Sequence, residues 1–533
     1  MTRLGGSVAM LALGGALVGA ALVRDAASGA HQRVREGGTF RIAYTGIDGI
    51  DPALTFDSAL LNASCAHLMN YPDRPPPAGF RLEPEAAVAT PRVSRDGRTY
   101  RFTIRRGLRF SNGARLTVRN FARAFERAFA PSMQSPGAFF LEDVVGAAEV
   151  REGRLPRGIL ARGRTLTIRL TRRVPDFPAR MATLPFCAVP PNLPIDPEGV
   201  GAPLHLAGPY YVAEYVPGRR VVLRRNRYYR GTRPHHVDTF IADLRAASDE
   251  DIVDRIRRGT AHWGFPRDEA LFEQASELRR RRSRFFVQPG LVLQGFYLNT
   301  RRPLFRNNAR LRRAVNFAVD RPALVRQFGG PLSGRPTDQY LPPSFPAFRD
   351  ARIYPLHRPN ARRARALARR HLRGGKAVLY TPSDAISVAQ AQTVKRNLAA
   401  IGLEVEVKEW PRRVHFQKLS TRGEPWDLAA WNWVPEYADP YSYLNELFAG
   451  TSPPFDPFAR APRYRRLLAR AALLRGAARH RAYGALDVRL ARDAAPFVAT
   501  FYGAAPTLVS RRVDPRCVVL RPYLDLAAVC LRR

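Results

Sequence analysis

The sequence predicts an α/β protein organised as two lobes, and three observations predict it. A chain of 533 residues is longer than one hydrophobic core supports, so two or three domains are expected. A strand–helix–strand unit begins at Thr239: Thr239 to Leu244 alternates, Ser248 caps a helix with Asp251 three residues on, Gly259 closes it, and Ala261-His262-Trp263 starts the next strand. A second unit begins at Ala377-Val378-Leu379-Tyr380. It passes through Thr381-Pro382 into a helix carrying Val388, Ala391, Val394 and Leu398, stops at Gly402, and returns as Leu403 to Val407. Each unit implies parallel strands joined by a right-handed crossover. They fall well apart in the chain, which assigns them to different lobes.

The remaining elements follow in order. Thr39 to Tyr44 alternates as a half-buried strand and Asp51-Pro52-Ala53 turns the chain. Tyr71 to Pro77 is a proline-rich loop. Thr99 to Ile104 alternates with its rings on one face, Gly107 marks a turn, and Leu108-Arg109-Phe110 is expected to return as its hairpin partner. Thr117 caps a helix whose stripe is Val118, Phe121, Phe125 and Phe129, a core face. Thr165 to Leu170 is a strand, and Pro185 to Pro203 connects. Tyr210 to Val212 and Val221 to Leu223 pair around Pro217-Gly218. Leu291 to Asn299 joins the lobes, Ala309 to Val319 is a helix, and Asp320 caps another with Pro322 in its first turn. Arg362 to Arg373 makes a basic helix with a solvated face, and Pro496 to Tyr502 is an apolar strand crossing back.

Charge and compartment narrow the function classes. Lys+Arg number 86 against 45 Asp+Glu, a net charge of +41. Arginine is scattered through nearly every segment without a basic tail, which argues against a nucleic-acid binder and leaves general attraction to anionic surfaces. Arg3 precedes an apolar run from Leu4 to Val23, either a signal-peptide core or an anchoring helix, with Ser28-Gly29-Ala30 offering a cleavage site. Four cysteines suit an oxidising compartment: Cys517 and Cys530 lie close, leaving Cys65 and Cys187 as the other candidate pair, against four free thiols.

Motifs for chemistry are missing. No phosphate loop, nucleophile elbow or zinc helix occurs. His235-His236 would point apart in a strand, so no metal, cofactor or catalytic residue is assigned. One stretch stands out. From Gly423 to Ala459 no basic residue occurs, while Trp431, Trp433, Glu436, Tyr437 and Asp439 gather rings and acids around Pro435 and Pro440. That composition suits a ligand with a cationic end, or a loop packed on a core with its acids paired to arginines.

Several segments together resemble the extracytoplasmic solute-binding proteins of ABC importers, the dipeptide/oligopeptide/nickel-binding class, family 5. They are Gly37-Gly38-Thr39-Phe40-Arg41 with Asp51-Pro52, Thr99 through Gly113, Gly208-Pro209-Tyr210 with Asn226-Arg227-Tyr228-Tyr229, Asn299 through Arg321, and Trp433 through Pro440. The resemblance implies a two-lobe, periplasmic-binding-protein-like (type II) fold with a hinge. It implies a first lobe over 36–290 with an extra subdomain at about 57–204, a second over 291–504, and a return to the first over 505–533, after a leader at 1–30. It implies a monomer outside the cytoplasm, membrane-associated through ABC permease subunits, that encloses a peptide or other small solute. An oligosaccharide or metal chelate is the alternative ligand. In peptide-binding members an aspartate three residues after a tryptophan holds the ligand's α-amino group. Counted from Trp433 that position is Glu436 here, one methylene longer, with Trp431, Trp433, Tyr437 and Asp439 expected around the ligand.

Overall fold

The computed structural model describes residues 34–532 apart from 48, 56–57, 265–283, 451–455, 459–460 and 522–523. The apolar run Leu4 to Val23 and the candidate cleavage site lie outside the described residues. Among those described, no helix is long and apolar enough to cross a membrane.

Strand β1 (Thr39–Ala43) buries Phe40 and Ile42 and leaves Arg41 in solvent, as period-two alternation requires. The chain then turns at Asp51, whose side chain caps the turn Pro52–Leu54. It leaves for a separate four-stranded sheet of β2 (Arg92–Val93), β3 (Thr99–Thr103), β4 (Ile159–Arg162) and β5 (Thr165–Arg169), in the order β2-β3-β5-β4. Helix α1 (Val118–Phe129) packs there, with Phe125 stacked on Phe186 at 5.3 Å. Leu108–Phe110 does not pair with β3, as the sequence suggested. It folds on Ala114–Leu116 instead, Phe110 N–H donating to Ala114 O and Leu116 N–H to Leu108 O, both at 2.9 Å. The turn Ser111-Asn112-Gly113 is shorter, Gly113 takes φ +85°, and both edges of β3 are already held by β2 and β5.

Arg127 of α1 locks this subdomain to the first lobe. Fully buried, it donates to Asp51 Oδ1 at 2.8 Å and Oδ2 at 2.5 Å, and to Pro194 O at 2.7 Å. A second tie is the disulfide Cys65–Cys187; the other disulfide, Cys517–Cys530, closes the C-terminal segment.

The chain returns as the hairpin β6 (Tyr210–Val216) and β7 (Arg220–Arg225), then β8 (Thr239–Asp243), α2 (Asp249–Arg258) and β9 (Trp263–Gly264). Ser248 Oγ accepts from Asp251 N–H and Gly259 closes α2 at φ +78°. The sheet order is β9-β1-β8-β7-β6. The crossover thus passes over β1, which holds the slot between β8 and β9, parallel to both. Val509, Leu524 and Val529 near the chain's end pack into the same core as Phe40 and Phe240.

The second lobe is a six-stranded sheet. Its elements include β10 (Phe285–Leu298), α3 (Ala309–Ala318), α4 (Arg321–Gln327), β11 (Gly334–Pro336), α5 (Ala361–Ala368), β12 (Lys376–Pro382), α6 (Ala385–Ala399), β13 (Glu404–Trp410), β14 (Leu428–Trp433), α7 (Pro440–Ala449) and β15 (Phe497–Leu508). The order is β11-β15-β10-β14-β12-β13, with β12 and β13 parallel neighbours. The basic helix α5 is shorter than its composition suggests. Arg373 at φ +52° and Gly374-Gly375 turn the chain into β12, and Arg373 donates to the Arg306 carbonyl at 2.7 Å.

Two strands connect the lobes. Phe285 and Leu508 pack with Ala43 and Ile252, whereas Leu293, Tyr297, Phe497 and Tyr502 belong to the second-lobe core. The antiparallel pairing of β10 and β15 slips between Pro289 and Leu293. There Gly290 approaches the facing strand so closely that a Cβ would meet Gly503 O at 1.8 Å. Only glycine fits that crossing.

Candidate functional site

The acidic, aromatic stretch begins inside the second sheet and ends between the lobes. Strand β14 lies between β10 and β12. Pro435 interrupts it, and Asp439 restarts regular structure by capping α7, its Oδ1 accepting from Tyr441 N–H at 2.8 Å. Pro440 sits in the first turn, where its missing N–H has no helical use. Arg479 donates to Asp439 at 2.6 Å. With both ends fixed, Val434 to Ala438 is presented to the first lobe.

A cavity of about 360 Å³ lies there. The second lobe gives it Leu291 and Val434 through Ala438; the first gives Asn62, Asn70, Tyr71, Phe80, Thr183 and the C-terminal Leu524 to Leu526. The five expected ligand residues separate. Glu436 and Tyr437 line the cavity; Trp431, Trp433 and Asp439 do not. Trp431 and Trp433 share one face of β14, so period two turns both onto the second-lobe core: Trp431 meets Tyr297 at 5.8 Å and Phe416 at 5.1 Å. Asp439 is held by the helix end and Arg479.

Tyr437 crosses the gap. It is buried in the subdomain's core, edge-on to Phe140 at 5.8 Å, and its hydroxyl donates to Asp176 Oδ2 at 2.7 Å. Arg180 donates to the same oxygen at 2.7 Å and to Phe140 O at 3.0 Å. Burial and the Asp176 charge hold the Tyr437 phenol well above its ordinary range, so it remains a donor.

Glu436 is exposed to water within the recess while protein crowds it from several sides. Lost hydration raises its pKa; its own backbone, Ser442 Oγ at 3.3 Å and the Arg180 charge oppose the rise. Glu446, further along α7, is pushed up to about 7 by burial, with Asp176 and Glu436 adding and Arg180 opposing. The cavity's cations are otherwise engaged. Arg233 spends its guanidinium on Asp73 and the carbonyls of Asn62 and Cys65. Arg521 pairs with Asp73 at 2.9 Å, with Asp525, and with Tyr71 O. Among the described residues, Glu436 is therefore the cavity-lining charge without an ionic partner. The described residues contain no cluster of metal-ligating side chains.

Sequence reading missed Asp176, Arg180, Glu446 and the Arg233–Asp73–Arg521 network. The only local signal was Asp176 and Arg180 at helical i,i+4 spacing.

Two lobes on crossing strands, with a cavity walled by both, define the architecture of a two-lobe binding protein. Residues 81–454 match the model for the bacterial extracellular solute-binding proteins, family 5, middle region, and the chain belongs to that family. The periplasmic oligopeptide-binding protein OppA of Escherichia coli (strain K12) is 23% identical over 391 residues, 69% of this chain and 70% of that protein. The probable deoxycholate-binding periplasmic protein YgiS of the same organism is 24% identical over 451 residues, 80% and 79% of the two chains. Among solved structures, the clavulanic acid biosynthesis oligopeptide binding protein 2 superposes with a TM-score of 0.83 at 25% identity, covering 94% of this chain and 96% of that one. The family consists of binding proteins.

Proposed function

We propose that this chain binds a short peptide in the cavity between its lobes, with the ligand's α-ammonium group on Glu436, and delivers it to an ABC-type permease. The observation that carries this reading is the charge pattern: Arg233, Arg521, Asp73 and Asp525 neutralise one another, leaving Glu436 open. A cation at that carboxylate restores the stabilisation that lost hydration removes. A ligand with only an anionic end, such as a bile acid, would meet like charge there. In this reading the protein catalyses nothing, acts as a monomer outside the cytoplasm, and is secreted or anchored by its N-terminal segment. Its first lobe spans 36–290, with the subdomain at about 57–204, its second 291–504, and 505–533 returns to the first; the crossing at Gly290 and Gly503 supports these boundaries.

Native mass spectrometry of the purified protein tests the ligand class. The expected result is a set of adducts whose masses fragment as short peptides. A sugar, steroid or metal-chelate adduct in their place would contradict it.

A further inference from the structure

Beside the ligand cavity runs a second, larger recess of about 1,220 Å³. Three stretches of chain pass from one to the other. Pro75–Pro77 lines the recess and Gly79-Phe80 the cavity; Phe286–Gln288 and then Leu291 do the same along β10; Leu520 and then Arg521 do so near the C-terminus. What stands at the junction is one aromatic pair. Phe80 of the first lobe meets Phe345 of the second edge-on, with ring centres 5.5 Å apart. Phe345 is buried and braced by Tyr443 at 5.3 Å and 90°, and Tyr443 in turn donates to Leu291 O at 2.6 Å. Phe80 is only partly buried and sits on a short turn. Of the two rings, Phe80 is the one with room to move.

The recess has the form an extended chain needs. Along 286–288, β10 pairs with β15 on one side, while β14 does not begin to pair until Leu293. Among the described residues no strand pairs with the other edge of Phe286–Gln288, the edge along which an added strand would lie. The surrounding wall of prolines, Phe286, Val287 and Val518 is mainly apolar, with Gln288 and Ser344 as its polar side chains and no charge.

We infer that Phe80 is a length gate, resting on the reading that the ligand is a peptide held by its amino end at Glu436. With Phe80 against Phe345 the 360 Å³ cavity encloses a short peptide. When the Phe80 ring swings away, the C-terminal part of a longer peptide passes into the recess and lies along Phe286–Gln288. The gate sets which lengths bind; Glu436 sets which end is held.

The test is calorimetry with tri-alanine and hexa-alanine on the full mature chain, comparing wild type with Phe80→Ala, Phe80→Leu and Phe80→Trp. The aromatic contact must be broken for the long peptide alone. Phe80→Ala and Phe80→Leu should therefore shift the ratio of hexa-alanine to tri-alanine affinity by about 2- to 10-fold toward the longer peptide. Phe80→Trp should weaken hexa-alanine selectively. Unchanged length preference in all three variants, with wild type binding tri-alanine, would overturn the gate and leave the peptide reading standing. Wild type binding neither peptide would overturn both.

Discussion

Tyr437→Phe removes a single hydroxyl, and that hydroxyl joins the two lobes. It donates to Asp176 Oδ2 at 2.7 Å, from the loop after β14 to the first-lobe subdomain. A hydrogen bond to a charged acceptor contributes about 1.5–3 kcal/mol. Asp176 feels the loss, because its other oxygen has no hydrogen-bond partner among the described residues and Arg180 alone remains on Oδ2. If opening pulls Tyr437 out of the subdomain, that energy belongs to the closed form only. The closed-to-open ratio should then fall about 10- to 100-fold. Burial keeps the phenol protonated throughout the accessible pH range, so the effect should not depend on pH. Small-angle X-ray scattering should show a larger radius of gyration for ligand-free Tyr437→Phe, and calorimetry a weaker ligand affinity. Tyr437→Ala should do more, since it also withdraws the ring from Phe140. Unchanged scattering and affinity, with merely a lower melting temperature, would make Tyr437 a packing residue and not a latch between the lobes.

Three further outcomes follow from the same structure. Arg127→Leu strands the buried Asp51 carboxylate and should cost about 3–5 kcal/mol in urea unfolding, while Asp51→Asn with Arg127→Leu together should cost less than the single change. Replacing Cys65 and Cys187 by serine opens a loop closed over 122 residues and should destabilise by about 4–5 kcal/mol, with proteolysis of the subdomain as a second readout. Glu446 titrates at about 7 in the fold instead of 4.5. The stability it contributes is fully present below about 4.5 and lost as pH rises through about 7, because the unfolded chain gives up that proton more readily. The full difference corresponds to at most about 3 kcal/mol, and partial contact with water reduces it to about 1–2 kcal/mol. Glu446→Gln should accordingly match wild type at pH 4 and exceed it at pH 8; Asp487, pushed up to about 7 by burial, acts in the same direction.

Much of the fold was legible because its signals are local. The Ser248 cap and Gly259 stop of α2, the Asp320 cap of α4 and the alternation of β1 each depend on residues within four positions. Position in the sheet was not legible: β1 separates β8 from β9 although nearly two hundred residues of chain intervene. The site divides the same way. Glu436's place on the cavity wall was legible through its spacing from Trp433. Its surroundings were not, because Tyr437 and Asp176 are 261 residues apart and Arg521 and Asp73 are 448 apart. That Trp431 and Trp433 lie outside the cavity lining was not legible, because Leu428-Ala429-Ala430 lacks polar alternation, which hides the strand period that turns both rings onto the core.

In the proposed function the Glu436 carboxylate holds a ligand's ammonium group. Calorimetry with one confirmed peptide, in free and N-acetylated forms, against wild type and Glu436→Gln tests it most directly. Acetylation and the substitution should each weaken binding by about 2–5 kcal/mol, and in Glu436→Gln acetylation should no longer matter. Equal affinity of wild type for the two forms, or unchanged affinity in Glu436→Gln, would contradict it.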